Sequence, residues 1–242
     1  MGSNPTSPTM SREKKNYVWT PQLAYIVGLI TTDGCLSNDG RHISFRSSDY
    51  QLIETFKNCL KSPASIVKSN PKYHPLAVKP TYRIQCGDVS LYKWLTNIGL
   101  TPAKTKTIAK LKVPSKYFSD FLRGHLDGDG TVKVYDDSYN NYRGRNYLNI
   151  RVATYFISAS KTHIEWLQQR IAKQISVNGA IFNGKGKNLS MWTLKYSKNE
   201  SEKLLDWIYY SDDLPCLERK KLLAQKALSV IQSTMRKTYT KI

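Results

Sequence analysis

Two short stretches of this 242-residue chain are versions of one another: Ile26-Val27-Gly28-Leu29-Ile30-Thr31-Thr32-Asp33-Gly34 and Leu122-Arg123-Gly124-His125-Leu126-Asp127-Gly128-Asp129-Gly130. Each is largely apolar, has glycine in third place and closes on Asp-Gly. Each follows an aromatic-rich amphipathic run and precedes a β-type run, so each reads as the end of a helix. An acidic residue there faces the negative end of the helix dipole. Two such ends brought together gather Asp33 and Asp129, which is unfavourable unless a divalent cation neutralises them. One Asp-Gly alone is most often a turn. Two of them, each after a glycine-bearing apolar helix, reverse that reading.

The rest of the chain repeats as well. The first copy predicts a helix at 21–33, a hairpin at 34–47, a helix at 49–61, a hairpin at 64–86 and a helix at 88–98. Leu52, Ile53, Phe56 and Leu60 share one face of the second helix, and Ser48-Asp49-Tyr50-Gln51 before it reads as a capping box. Ile164, Trp166, Leu167 and Ile171 mark the corresponding helix of the second copy. The offset between copies is larger after the first hairpin than at the signatures, which places an insertion at Asp136 to Arg145. The expected organisation is a disordered arm at 1–15, a first unit at 16–100, a linker at 101–116 and a second unit at 117–242.

Glycine at 28 and 124 would let the two signature helices pack backbone to backbone, bringing Asp33 and Asp129 within a few ångströms. Gly34 and Gly130 would turn the chain into strands, as glycine does at helix ends. The two aspartates could hold Mg²⁺ or a similar hard cation, helped by the carbonyls of Thr32 and Gly128. A calcium loop beginning at Asp127 is rejected, because Ser138 stands where its closing Glu is required.

The strand runs alternate, so each sheet should have one wet face. Ile43 and Phe45 oppose His42, Ser44 and Arg46; Tyr82 and Ile84 oppose Arg83 and Gln85. In the second copy Leu148, Ile150, Val152 and Phe156 oppose Tyr147, Asn149, Arg151 and Tyr155, and Trp192 and Leu194 oppose Thr193 and Lys195. Such outward sets suit base edges and phosphates in a major groove. Ser37, Ser48, Lys68, Lys133, Tyr135, Arg143, Arg145, Lys185 and Lys187 complete the expected nucleic-acid contacts. Lys and Arg outnumber Asp and Glu by 37 to 18, for a net charge of +19, which points to a polyanionic partner. Four scattered cysteines without a CxxC pair read as reduced thiols of an intracellular protein, and no apolar run predicts a membrane span.

The signatures resemble those of the LAGLIDADG homing endonucleases, and the resemblance extends over about residues 20–235. It implies an α+β fold: two pseudo-twofold αββαββα units with saddle-shaped antiparallel sheets and a central pair of packed helices. It implies a monomer that cuts both strands of a long, asymmetric double-stranded DNA site across the minor groove, leaving short 3′ overhangs. Mg²⁺ or Mn²⁺ would support cleavage, and Ca²⁺ would bind without supporting it. The family's essential acid precedes the final glycine, which assigns that role to Asp33 and Asp129. Thr31 departs from the pattern where the second copy has Asp127, so Asp127 is expected to be secondary. Lys104 and Lys220 resemble the family's basic residues and could polarise the scissile phosphate or attacking water. They read equally well as phosphate-binding or solvated lysines. The end Thr240-Lys241-Ile242 lacks an intein's His-Asn, which suggests an intron-type enzyme. An RNA-binding intron maturase on the same scaffold is the alternative, and an inactive DNA-binding regulator is a third reading. The abundance of Lys, Asn, Tyr and Ile suggests an AT-rich organellar, bacterial or phage genome.

Overall fold

The computed structural model describes residues 15–69, 79–142, 145–185 and 190–239, without the side chains of 137–149, 185–190 and 234–239. The expected arm at 1–15 falls almost wholly outside the described residues. The order is α1 (Pro21–Asp33), β1 (Gly34–Leu36), β2 (His42–Ser47), α2 (Tyr50–Leu60), β3 (Ile66–Ser69), β4 (Thr81–Gly87) and α3 (Val89–Asn97). A second round follows: α4 (Phe118–Asp129), β5 (Thr131–Tyr142), β6 (Arg145–Ser158), α5 (Lys161–Ile175), β7 (Ala180–Lys185), β8 (Ser190–Tyr196) and α6 (Lys198–Ile208). Helix α7 (Glu218–Tyr239) closes the described chain. This is the expected α+β architecture. The two antiparallel sheets have one topology, β1-β2-β4-β3 and β5-β6-β8-β7. The insertion expected in the first hairpin of the second copy shows as longer strands, with β5 running on to Tyr142 and β6 starting at Arg145.

Helices α1 and α4 form the joint between the units. A Cβ on Gly28 would overlap the Phe121 carbonyl and stand 2.7 Å from His125 N; one on Gly124 would overlap the Tyr25 carbonyl. Backbone meets backbone at both glycines, so any side chain would force the helices apart. Both helices are buried nearly all round, from Leu23 to Thr31 and from Phe118 to Asp127. Gly34 and Gly130 differ from expectation. Both are extended, at φ −86° and −85°, and not left-handed. Glycine is needed there for space: added Cβ atoms would lie 2.5 Å from Ile30 Cα and 2.7 Å from Leu126 Cα.

The expected faces of β2, β4, β6 and β8 hold wherever their side chains are described. Ile43, Phe45, Ile84, Phe156 and Leu194 are fully buried against the helices, and Val152 is nearly so. The segment between the units is docked rather than loose. Ile108, Leu111 and Val113 are buried, and their neighbourhood is held by α5. Ser160 Oγ donates to Ile108 O (2.5 Å), His163 Nδ1 to Ala109 O (2.9 Å) and Arg170 Nη2 to Val113 O (2.7 Å).

The capping box before α2 does not form. Asp49 is the N-cap residue but makes no side-chain cap bond. Gln51 instead accepts from Glu218 N (3.0 Å), and Arg219 donates to both oxygens of Asp49. Contacts from the other unit displace the local motif. Among the described residues no helix is long and apolar enough to cross a membrane.

Candidate active site

The two helix C-termini deliver Asp33 and Asp129 to one place. Gly128 makes the meeting possible: a Cβ there would overlap Thr32 Oγ1 and stand 3.2 Å from Asp33 Oδ2. Burial pushes the Asp33 carboxyl up to about 6, and the charge of Asp129 adds to this while Lys220 and Lys104 oppose it. Asp129 is likewise raised by burial, against Lys220 and Lys104. Both residues nevertheless keep exposed surface. Two carboxylates with open tips suit a hard cation that keeps several waters and takes few protein oxygens. Among the described residues no group of three or more His, Cys, Asp or Glu gathers that could hold a metal, so the fit rests on this oxygen pair.

Lys104 and Lys220 do not line the open space next to the aspartates but are engaged with the ends of the helices that carry them. Both are buried. Lys104 Nζ donates to Gly34 O, at the end of α1. Lys220 Nζ reaches four carbonyls at the end of α4: Leu126 (2.7 Å), Asp127 (2.8 Å), Gly128 (2.9 Å) and Gly130 (2.8 Å). The terminal carbonyls of a helix lack partners within it, and a cation also suits its dipole. Each lysine therefore acts first as a helix-end cap that sets its aspartate's position and field. Burial lowers both ammonium groups, Lys220 to about 8. The Gly128 carbonyl expected to help hold metal is thus already engaged by Lys220, while Thr32 sits in the last turn of α1 with its hydroxyl bonded to Leu29 O.

Thr31 and Asp127, the mismatched pair, are both buried and engaged by hydrogen bonds. Thr31 Oγ1 donates to Val27 O at 2.7 Å. Asp127 Oδ2 accepts from Tyr25 OH (2.8 Å) and Leu217 N (2.7 Å), tying α4 to α1 and to the start of α7. Burial raises its carboxyl to about 6 despite those bonds.

A hollow of about 380 Å³ opens beside Asp33 and Asp129, lined also by Arg46, Ser48, Thr81 and Arg219. It joins the carboxylates to the wet face of the first sheet. A larger hollow of about 1020 Å³, between α2, β4 and α3, holds neither aspartate. On the first sheet Ser44 stands opposite Gln85, and Arg46 opposite Arg83. Arg83 also donates to Gln85 Oε1. His42 faces the same way but bonds to Asp39, and Ser37 closes the β1–β2 hairpin through His42 O. Lys68 is misplaced by the expectation. It pairs with Tyr82, so it shares the helix-side face, and Val67 takes the outward position opposite Arg83. A short edge strand offered too little alternation to fix its phase.

On the second sheet Lys133, Tyr135, Arg151, Tyr155, Thr193 and Lys195 share the wet face. Lys133 and Lys195 lie over the Tyr155 ring at 5.6 and 5.9 Å. The side chains of Arg145, Tyr147, Asn149 and Lys185, and the whole of Arg143 and Lys187, lie outside the described residues.

Two features escaped the sequence reading. Arg123 is fully buried, bonded to Asp120 Oδ1 (2.8 Å), Ile208 O (2.8 Å) and Pro215 O (2.9 Å). An i,i+3 acid–base pair inside an otherwise apolar helix was the available signal. Arg219, bonded to Asp49 across the units, had no local signal.

Residues 20–99 match the family described as LAGLIDADG-like domain. That stretch of the chain is similar to a LAGLIDADG-like domain. The chain's two-unit fold matches the LAGLIDADG meganuclease I-AabMI bound to uncleaved DNA, with TM-score 0.56 and 15% identity, over 91% of this chain and 93% of that one. I-SmaMI bound to uncleaveable DNA matches with TM-score 0.57 and 12% identity, over 93% and 92%. Full-length DUF199/WhiA from Thermatoga maritima matches with TM-score 0.52 and 15% identity, over 97% of this chain and 70% of that one. At these identities the likeness is one of fold. No curated protein sequence matches the chain.

Proposed function

We propose that this protein is a monomeric, site-specific DNA endonuclease that cuts both strands of a long asymmetric site and leaves short 3′ overhangs. The observation that carries the reading is the paired Asp33 and Asp129 at the helix joint, opening into the same hollow as Arg46 of the wet sheet face. A regulator or an RNA-binding maturase needs the basic faces but not two mutually strained carboxylates at their junction. The DNA-bound meganucleases of the same fold support a DNA partner.

Asp33 and Asp129 would hold Mg²⁺ or Mn²⁺, which supplies Lewis acidity toward phosphate oxygens and eases deprotonation of water. The chain's own part is positioning. Gly28, Gly124 and Gly128 bring the carboxylates together, and Lys104 and Lys220 fix the helix ends that carry them. The sheet faces grip and read the duplex on either side of the carboxylates.

The test is cleavage of a randomised duplex library with Mg²⁺, followed by sequencing of the cut molecules. Enrichment of one long asymmetric site is expected. Asp33→Asn or Asp129→Asn should abolish double-strand cleavage and leave binding to that site largely intact. A single variant that cuts both strands at near wild-type rate would overturn the assignment. Selective retention of a structured RNA, with no duplex cut, would favour the maturase.

A further inference from the structure

The two wet faces are built from equivalent positions but with different chemistry. Phe45 of β2 and Phe156 of β6 stand opposite the buried Ile84 and Leu194. That register makes Arg46 the counterpart of Ile157, and Arg83 the counterpart of Thr193. Along the edge strands Val67 lies opposite Arg83, and Phe182 opposite Thr193, so Val67 and Phe182 are counterparts too. Both are exposed, at 60% and 52%. Met191, 36% exposed, shares the outward face of β8 with Thr193.

The first sheet therefore presents two arginines directly across from one another, with one apolar side chain beside them. Facing like charges are unfavourable unless an anion or an acceptor-rich edge lies against them. The second sheet presents Phe182, Met191 and Ile157 around Thr193, flanked by Lys133 and Lys195. Natural edge strands usually carry charge as protection against pairing. Neither Val67 nor Phe182 is core, since Ile66 and Ile181 take the inward positions opposite Ile84 and Leu194. Lysines around an apolar patch match a polyanion with apolar groups on its readable edge. In duplex DNA the apolar group of the major groove is the thymine C5 methyl, whereas guanine offers paired acceptors to arginine.

We propose that Phe182, with Met191 and Ile157, reads thymine methyl groups in the half-site bound by the second unit. Val67 makes one such contact in the other half, where Arg46 and Arg83 read guanine. The inference rests on the DNA reading of the two faces. It makes the target asymmetric in a stated way, with methyl readout concentrated under β7 and β8. An RNA partner, which carries uracil, offers no such methyl.

The test uses the full chain without divalent metal and the duplex enriched by the cleavage selection. Thymines of each half are replaced in turn by deoxyuridine, which removes only the methyl group. A loss of affinity of about fourfold per contacted methyl is expected, equivalent to about 0.8 kcal/mol, and concentrated in one half. Phe182→Ser should remove the discrimination between thymine and uracil at the base it contacts and so reduce it in that half, and Val67→Ser the smaller effect in the other. Binding unchanged by deoxyuridine throughout, or discrimination undiminished at every position by Phe182→Ser, overturns the methyl readout and leaves the DNA reading standing. Failure of any duplex to be enriched, by cutting or by retention on the protein, overturns both.

Discussion

Helices α1 and α4 are one element built twice, yet their equivalent positions are filled in opposite ways. Where α1 buries Ala24, Val27 and Thr31, α4 buries Asp120, Arg123 and Asp127. The apolar version needs nothing from elsewhere. The ionic version reaches Ile208 O and Pro215 O through Arg123, Tyr210 OH through Asp120, and Leu217 N through Asp127. Both solve the same packing problem, but the second also ties down the segment leading into α7, which delivers Lys220 to the end of α4. Buried charge is used here as an anchor for a connection that the first helix does not have to hold.

The heaviest test of that contrast is to break the buried pair. Arg123→Met leaves the Asp120 carboxylate in the interior with only Tyr210 OH to satisfy it, and should cost about 3–5 kcal/mol. The double variant Asp120→Ala/Arg123→Val copies α1 and should recover part of that loss in a denaturant melt. A double variant no better than the single one would mean that the two carbonyl bonds of Arg123, and not its ion pair, carry the anchor.

Near the site the same inequality continues at the helix caps. Lys220 serves four carbonyls of α4, and Lys104 the Gly34 carbonyl of α1. A buried acceptor left without a partner costs about 1–3 kcal/mol. Lys220→Met should therefore destabilise by on the order of 3 kcal/mol, and Lys104→Met by less. Thermal melts of both variants in metal-free buffer check it. Equal losses would show that number of carbonyls does not set the cost.

How these features stood in the sequence follows their range. The glycine-bearing signatures, the repeat and the strand alternation are local patterns, and they carried the architecture, the helix joint and the meeting of Asp33 with Asp129. Partners distant along the chain left no such trace. Arg123 meets Ile208 and Pro215, Gln51 meets Glu218, and Lys220 meets Gly130, so the capping box was read as if its segment stood alone, and the carbonyl partners of the two lysines were not foreseen. Lys68 failed for the opposite reason. Its strand is local but short, and a one-residue phase error moves a side chain to the other face.

The connections between units are also reciprocal. The segment after the first unit crosses to the N-terminus of α5, and the segment after the second crosses to the N-terminus of α2. Ser160 and His163 receive the first crossing inside the protein. His163 Nδ1–H donates to Ala109 O, so its Nε2 accepts from His125 Nε2–H at 3.2 Å. Burial lowers His163 to about 4 and His125 well below its ordinary value, and the charges of Lys104 and Lys220 act the same way. Both histidines are thus neutral in the fold but protonate near pH 6.5 when unfolded. The stability this neutral pair contributes is fully present above pH 6.5 and is lost as the pH falls toward about 4. His163→Asn keeps a donor for Ala109 O without titrating, so its melting temperature should fall less steeply over that interval. Parallel acid limbs for the variant and wild type would place the acid sensitivity elsewhere.

The second crossing lands on the surface, and its chemistry should be worth correspondingly less. Arg219 holds Asp49 through Nη2 at 2.7 Å and Nε at 3.2 Å, with 56% and 29% of the two side chains exposed. The bond draws the Asp49 carboxyl below its usual range, which shows that the pair interacts, but solvent and salt screen it. Arg219→Ala should cost less than about 1 kcal/mol at low salt, and the difference from wild type should shrink further in high salt. By the offset that relates Lys104 to Lys220, the first crossing has Ala103 in the place of Arg219. By the strand register, Ser160 stands in the place of Asp49. An Ala103→Arg variant therefore gains no carboxylate partner at Ser160 and should not be stabilised, whereas Ala103→Arg/Ser160→Asp would transplant the pair at the expense of the Ser160 bond to Ile108 O. Chemical denaturation of the three variants at two ionic strengths separates these cases. A loss on Arg219→Ala as large as that on Arg123→Met, and insensitive to salt, would show that the exposed crossing anchors the molecule as firmly as the buried one.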